Sequence, residues 1–178
     1  MSDKNNEIPK NVSEFLFRSS EAYGNLKNEE FSQFMWSQCS EISSPIEQLF
    51  FVAINIVSEM NYVTPSIATG FHDGSDDLQI IPQWNTGRYR VDFALRRHPI
   101  DKIICVELDG HDFHDRDEKQ RRYEKTRDRF LVASGYSVLH YTGSEIVKDP
   151  CSAAIEVFKM VHGHAANYAD VLHPFEVF

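Results

Sequence analysis

Three short apolar segments separated by turn residues lie between residues 78 and 109, and they limit the folds available to this chain. Leu78–Trp84 is the first strand candidate, and Asn85-Thr86-Gly87 is typical of a tight turn. Residues 90–96, in which Val91, Phe93 and Leu95 alternate with more polar positions, and residues 102–109 are the next two. The pattern therefore predicts three consecutive strands joined by tight turns.

The flanking segments predict helices. Ser44-Pro45-Ile46-Glu47 has the residues of an N-cap, a first-turn proline and a capping box, and about 16 residues with helical apolar spacing follow. A second helix is expected from Asp115 to Ser134, ended by Gly135, then a strand over 136–141 and a last helix from Pro150 to about His162. This order predicts an α/β fold with a mixed sheet and a helix-strand-strand-strand-helix-strand core.

A chain of 178 residues is long enough to bury roughly 70% of its unfolded surface, so one main domain is expected. We assign it to residues 44–162, preceded by an N-terminal helical extension over 1–43 and followed by a tail over 163–178. Three widely spaced cysteines indicate reduced thiols. The polar N-terminus and the lack of long apolar runs predict a cytoplasmic protein with no membrane partner.

Three carboxylates come together if the second and third strands form a hairpin. With residues 98–101 as a four-residue loop, Arg97 pairs with Lys102, and the same register places Asp92 opposite Glu107 with Cβ atoms roughly 5 Å apart. Asp109 lies two residues further on the same face. Such crowding is unfavourable for carboxylates alone, and a bound divalent cation would reverse the sign. The alternative is that Asp92 and Glu107 form ion pairs with Arg90 or Lys102, or lie exposed on an uncovered face.

Several motifs resemble the PD-(D/E)XK nuclease superfamily. They are Tyr89-Arg-Val-Asp-Phe, Cys105-Val-Glu-Leu-Asp-Gly-His, Arg127-Asp-Arg-Phe-Leu and Gly135-Tyr-Ser-Val-Leu, with Tyr141-Thr-Gly-Ser-Glu after them. More closely, they are similar to short proteins related to very-short-patch-repair endonucleases. The resemblance covers roughly residues 44–160 and implies a three-layer restriction-endonuclease-like fold.

The resemblance also implies a site. Asp92 takes the metal-binding position, with Val91 before it where the motif has proline, and Glu107 is the acid of the (D/E)XK element. Glu47 resembles the helical glutamate that many members add to the metal site, and the Leu108 carbonyl is a further candidate ligand. Asp109 stands where the motif has lysine, and an aspartate cannot act as a cation.

Two replacements for the motif lysine are left open. Lys125 is one, since this lysine can migrate into the helix in the superfamily. His111 or His114 is the other, because neutral imidazole can act as a general base near pH 7. In this helix Arg122, Lys125 and Arg129 share one face, which we expect beside the carboxylates, and three apolar side chains are expected in the core: Tyr123, Phe130 and Leu131.

The total charge of −9 disfavours binding to nucleic acid, but the distribution of charge along the chain favours it. Residues 86–130 hold 12 basic and 10 acidic side chains, whereas the rest of the chain holds 6 basic and 17 acidic ones. The candidate contacts to nucleic acid are Arg88, Arg90, Arg122, Arg127, Arg129 and His114.

The predicted function is a Mg²⁺- or Mn²⁺-dependent endonuclease that acts on DNA, with a homodimer left open. A catalytically degenerate nucleic-acid-binding or regulatory module of the same fold is the alternative, because Asp109 replaces the lysine. A protein-interaction role carried by the aromatic N-terminal extension is a third. RNA, substrate structure and sequence preference are not decided by the sequence.

Overall fold

The computed structural model describes residues 10–22, 37–39, 41–42, 44–61, 63–73, 78–98, 100, 102–110 and 118–163. In chain order these residues form α1 (Lys10–Ala22), α2 (Pro45–Met60), β1 (Ser66–Ile67), β2 (Leu78–Asn85), β3 (Arg90–Arg97), β4 (Ile104–Asp109), α3 (Glu118–Ala133), β5 (Ser137–Thr142), α4 (Gly143–Lys148) and α5 (Pro150–His162). None of these helices is long and apolar enough to cross a membrane.

The strands of the described chain form one mixed sheet in the order β1-β2-β3-β4-β5. β2, β3 and β4 are the predicted antiparallel meander, and β5 pairs with β4 in parallel after the α3 crossover. This confirms the predicted α/β fold and its core order, and it is consistent with a restriction-endonuclease-like fold. The two-residue β1, parallel to β2, was not predicted.

Helices cover both faces of the sheet. α2 and α5 pack on one face around a large apolar cluster in which the rings of Phe50 and Phe93 lie 5.2 Å apart. α3 covers the other face through a smaller cluster around Leu131 and Cys105. Val12 of α1 is also buried in the large cluster, so part of the N-terminal extension packs on the main domain.

The simple alternation predicted for β3 is wrong at Val91. Phe93 lies in the large cluster, whereas Val91 lies in the small one, although both have odd numbers. The reason is Gln83, whose φ of 51° interrupts β2. The β2–β3 ladder continues in one register on both sides but has no pair at Gln83 and Asp92. The alternation of side chains between the two faces of the sheet is therefore reversed in β2 and β3 on the two sides of this point.

One capping prediction needs correction, and one capped helix was not predicted. Ser44 precedes α2 as predicted, but its side chain makes no cap to the helix backbone. It instead hydrogen-bonds the Glu47 side chain. A complete capping box occurs at Thr142 and Glu145, where it begins the unpredicted helix α4. The T-x-x-E spacing at these positions is the sequence signal that predicts this helix.

The two glycine turns formed as expected. Gly87 has φ +87° in the β2–β3 turn, and its backbone N–H donates to Asn85 Oδ1. Gly135 has φ +89° after the last turn of α3. Both conformations favour glycine because a Cβ is strained there. Cys39, Cys105 and Cys151 are free and buried, which confirms the prediction of reduced thiols.

Candidate active site

The predicted register brings Asp92 and Glu107 to neighbouring strands. Phe93 pairs with Val106 and Ala94 with Cys105, and this is the register that places Asp92 opposite Glu107. The backbone ladder stops at the Phe93–Val106 pair. Beyond it, the Leu108 backbone N–H donates to Asp92 Oδ2 at 2.7 Å. The Asp92 carboxylate is thereby attached to β4 just beyond Glu107.

Glu107 is a buried acid held by an arginine of α3. Its residue is 5% exposed, and its Oε2 lies 3.2 Å from Arg127 Nη1. Its other oxygen, Oε1, is buried and has no hydrogen-bond partner among the described residues. Neither alternative expectation is met for this acid, because its described ion pair is with Arg127 rather than Arg90 or Lys102, and it is buried rather than exposed on an uncovered face.

Burial and mutual repulsion both oppose the ionisation of Asp92 and Glu107. Burial raises the pKa of Glu107 to about 8, and the carboxylates of Asp92, Asp109 and Asp128 act in the same direction, while Arg127 opposes them. Burial also raises the pKa of Asp92, against the Leu108 hydrogen bond and the charge of Arg127. Two neighbouring carboxylates that both resist ionisation are stabilised when a cation binds them.

The structure brings Glu47 to the same cluster from the first turn of α2. Burial, with the charge of Asp92, raises the pKa of Glu47 to about 7. Gln83 Nε2 donates to Glu47 Oε2 at 2.6 Å, and Ser44 also hydrogen-bonds the carboxylate. The unusual backbone of Gln83 thus lies beside a carboxylate rather than in a connecting turn.

Asp109, which occupies the position of the motif lysine, contacts a histidine. His140 lies on β5 beside Glu107 in the parallel register. Its Nδ1 is 3.4 Å from Asp109 Oδ2, and its Nε2 is 3.4 Å from Asp128 Oδ2. Asp128 Oδ1 in turn lies 3.7 Å from Arg127 Nε. One imidazole therefore connects the acid at the end of β4 with the Arg127–Asp128 pair of α3.

Lys125 does not lie with these acids. Successive helical residues are rotated by about 100°, so Lys125 and Arg127 lie roughly 160° apart around α3. Arg127 faces Glu107, whereas Lys125 is exposed and lines an outward groove with other residues of the same helix. The expectation that Lys125 replaces the motif lysine is therefore not met. The cation beside Glu107 is Arg127. His111 and His114 lie outside the described residues.

The basic residues predicted to contact nucleic acid divide between two regions. Arg90 acts on the pKa of Asp92 and Arg127 contacts Glu107, so both lie at the carboxylates. The prediction that the face carrying Arg122 and Arg129 lies beside the carboxylates is wrong, because that face is outward. Arg88 lies in the β2–β3 turn, over two aromatic rings.

Two residues of the cluster were missed. Gln83 has no sequence signal, since glutamine is not a residue that favours positive φ. His140 follows the apolar run Val138-Leu139 in β5, and a polar side chain in that strand beside Glu107 is predictable once the β4–β5 register is known.

The donor set fits a hard divalent cation in its chemistry. Buried carboxylate oxygens are the ligands that Mg²⁺ and Mn²⁺ prefer, and Glu107 Oε1 lacks any other described partner. Among the described residues, no three His, Cys, Asp or Glu side chains already converge as a metal site. Cation binding would therefore need the carboxylates to move closer together.

The chain was also compared with models of known protein families. Residues 74–161 match the model of REase_MTES_1575, a restriction-endonuclease-like family. This segment contains Asp92, Glu107, Asp109 and Arg127, and Glu47 lies before it. Comparison with curated proteins gave no match, and comparison with solved structures gave none. The closer relation to very-short-patch-repair endonucleases stays a prediction. Over residues 74–161 this protein is similar to the restriction-endonuclease-like nucleases of the REase_MTES_1575 family.

Proposed function

We propose that this protein is a metal-dependent endonuclease that hydrolyses phosphodiester bonds in DNA with Mg²⁺ or Mn²⁺. The observation that carries the proposal is the state of Glu107. Its carboxylate is buried beside other acids, its pKa is raised to about 8, and its Oε1 has no hydrogen-bond partner in the described part of the chain. Without a cation this arrangement costs free energy, and a divalent cation would offset that cost. The family match supports nuclease chemistry in general.

Asp92 and Glu107 are the residues that would hold the ion. Glu47 and Asp109 would assist directly or through water, and the Leu108 carbonyl is a further candidate ligand. A bound ion of this kind polarises the phosphodiester and lowers the pKa of the attacking water.

Arg127 supplies the positive charge that the missing lysine would have supplied. Its guanidinium has five donors, of which one group contacts Glu107. Its Nε lies 3.7 Å from Asp128 Oδ1, beyond hydrogen-bond distance, and is buried without a hydrogen-bond partner among the described residues. A phosphate oxygen would satisfy such a donor, because guanidinium and phosphate form charge-assisted hydrogen bonds. Arg127 would therefore hold the scissile phosphate beside Asp92 and Glu107.

Glu47 is suited to accept a proton. A general base works best when its pKa lies near the working pH, and without a bound cation the pKa of Glu47 is raised to about 7. This role requires Glu47 to assist the ion through water, because direct ligation would lower the pKa of the carboxylate. Gln83 holds one of its oxygens in place. His111 remains a second candidate for orienting water, and it lies outside the described residues.

The test is nicking of supercoiled plasmid by the full chain with Mg²⁺ or Mn²⁺. Glu107→Gln and Asp92→Asn should each lower the rate at least 100-fold, because both remove a carboxylate that holds the ion. Glu41→Gln is the matched control, since Glu41 is an exposed acid outside the cluster and loses the same charge. Undiminished nicking by both site variants would show that these acids do not hold a catalytic ion. A homodimer is needed only if the protein also cuts both strands at one place.

A nucleic-acid-binding module without catalysis is the second candidate. The Arg127–Glu107 contact favours it, because an arginine can neutralise the buried acid without any ion. Calorimetric titration with Mn²⁺ separates the two candidates. Binding that disappears in Asp92→Asn supports the enzyme, whereas absent binding together with retained DNA affinity supports the module.

A further inference from the structure

Tyr123 is an aromatic side chain that the fold holds in solvent. Its residue is 52% exposed, although its place in α3 predicts a core position. Its ring makes a T-shaped contact with Tyr89, with centroids 5.7 Å apart. Tyr89 is buried and makes a second T-shaped contact with Phe130 at 5.3 Å. The exposed ring of Tyr123 therefore packs against a buried aromatic side chain.

Arg88 adds a positive charge to the same group. Its guanidinium carbon lies 5.3 Å from the ring centroids of both Tyr89 and Phe130, within the range of a cation–π contact. Arg88 belongs to the β2–β3 turn, where Thr86 hydrogen-bonds both the N–H and the carbonyl of Tyr89. We call Arg88, Tyr89, Tyr123 and Phe130 the aromatic platform.

A cationic groove runs along the outward face of the same helix. Its lining side chains are Glu118, Arg121, Arg122, Lys125 and Arg129. Four of the five are basic, and the one acid makes an exposed ion pair with Arg122 that contributes little to stability. The groove thus has excess positive charge in a chain whose total charge is −9. Polyanions are the partners that such a groove favours.

The platform lies between the groove and Arg127 around α3. Tyr123 is rotated by about 100° from Arg122 of the groove and by about 40° from Arg127, which it precedes by about 6 Å along the helix axis. A strand would therefore have to pass around α3 from the groove to Tyr123, and a base on Tyr123 would lie on the side of the helix that carries Arg127.

We propose that the aromatic platform and the groove bind a single-stranded segment of DNA, with an unpaired base stacked on Tyr123 and its neighbouring phosphates in the groove. In a duplex the bases are stacked on each other, so only an unpaired base can use the exposed face of a ring. This inference deepens the proposed function, since it gives the nuclease a substrate with single-stranded character. The binding itself needs no catalysis.

The test of the platform is fluorescence anisotropy of the full chain in EDTA, with a labelled 20-nucleotide strand and a blunt duplex of the same sequence. The wild-type protein should bind the single strand more tightly. Tyr123→Ala should weaken single-strand binding by about 5- to 150-fold, since one stacked base is worth about 1–3 kcal/mol. Tyr123→Phe should bind as wild type because the ring is kept. Val132→Ala is the matched control, being an exposed apolar residue of the same helix.

The test of the groove is the salt dependence of the same binding. Arg121→Gln and Lys125→Gln should each reduce the slope of log affinity against log salt by about 0.7, because each removes one phosphate contact to a single strand. Unchanged slopes in both variants would exclude the groove as the phosphate contact.

The outcomes separate this inference from the proposed function. If Tyr123→Ala binds the single strand as tightly as wild type, or loses duplex binding to the same degree, the platform does not bind an unpaired base. If Tyr123-dependent binding is found but the wild type does not nick DNA, the proposed function fails and the platform remains. Thermal unfolding of Tyr123→Ala, compared with Tyr123→Phe, shows whether a loss of binding comes from a loss of fold.

Discussion

The Asp92 carboxylate accepts a 2.7 Å hydrogen bond from the Leu108 backbone N–H where the β3–β4 ladder ends. A side chain thus takes a donor of the neighbouring strand just beyond the last backbone pair. The bond holds the Asp92 carboxylate through Oδ2. The charge of Asp109 raises the pKa of Asp92, and the charges of Asp92 and Asp109 raise the pKa of Glu107. The interruption of strand pairing and the concentration of acids therefore have one location in the fold.

Substitutions of Gln83 test how much backbone strain is present where β2 is interrupted. Its φ of 51° is unfavourable for any residue with a Cβ, by about 1 kcal/mol relative to glycine. Gln83→Gly and Gln83→Ala both lose the hydrogen bond to Glu47, so only the backbone term differs between them. We expect the glycine variant to be more stable than the alanine variant by about 1 kcal/mol in urea unfolding. Equal stability would mean that this backbone conformation is not retained in solution.

Arg127 tests the charge balance around Glu107. Removing one partner of a buried ion pair leaves an uncompensated charge, which costs about 3–5 kcal/mol. Arg127→Met should therefore lower the free energy of unfolding by about that amount at pH 9, above the pKa of Glu107. The loss should be much smaller at pH 5, where Glu107 is protonated.

The matched control for Arg127 is Arg122→Met on the same helix. Arg122 pairs with Glu118, but both side chains are largely exposed, at 77% and 86%. Exposed pairs contribute about 0–1 kcal/mol, so this variant should be close to wild type at both pH values. Similar losses in the two variants would contradict a special role of the Arg127–Glu107 contact.

His140 tests the link between Asp109 and Asp128. Each ring nitrogen lies 3.4 Å from one of these carboxylates, and the side chain is 36% exposed. His140→Ala should reduce plasmid nicking about tenfold or more, because both acids lose the partner that positions them. His72→Ala, at an exposed histidine outside the cluster, should nick as wild type. If the two variants are equally active, His140 does not position the site.

The parts of the fold that the sequence predicts correctly depend on local patterns. The apolar spacing of α2 and the three strands of the meander are properties of neighbouring residues, and the observed β3–β4 register is the one that a four-residue loop over 98–101 predicts. The positions of Asp92 and Glu107 could be predicted for this reason. The glutamate of α2 could be placed beside Asp92 only through the family resemblance.

The parts that the sequence does not predict depend on contacts between distant segments. The positive φ of Gln83 has a partner in Glu47, far earlier in the chain, and no local motif announces it. The orientation of α3 decided between Arg127 and Lys125, and the burial of Leu131 determines that orientation. Helical spacing alone predicted the basic face correctly but not which way it points.

The pH dependence of stability tests the raised pKa values directly. An acid whose pKa is higher in the folded state than in the unfolded chain binds more protons when folded, so stability falls as pH rises. Burial raises the pKa of Glu107 from an ordinary 4.5 to about 8, and that of Glu47 to about 7. Their contribution is present below about pH 4.5 and is lost as the pH rises through 7 and 8.

We therefore expect the unfolding free energy in EDTA to fall by on the order of a few kcal/mol between pH 5 and pH 9. Glu107→Gln should flatten much of this slope, and Glu41→Gln should leave it unchanged. Mn²⁺ at 100 times its dissociation constant should add about 2.7 kcal/mol to wild-type stability at pH 8, and less at pH 5 where the carboxylates are protonated. A flat wild-type profile, or a Glu107→Gln profile as steep as wild type, would show that Glu107 is ionised at low pH and that repulsion among these acids does not favour a cation.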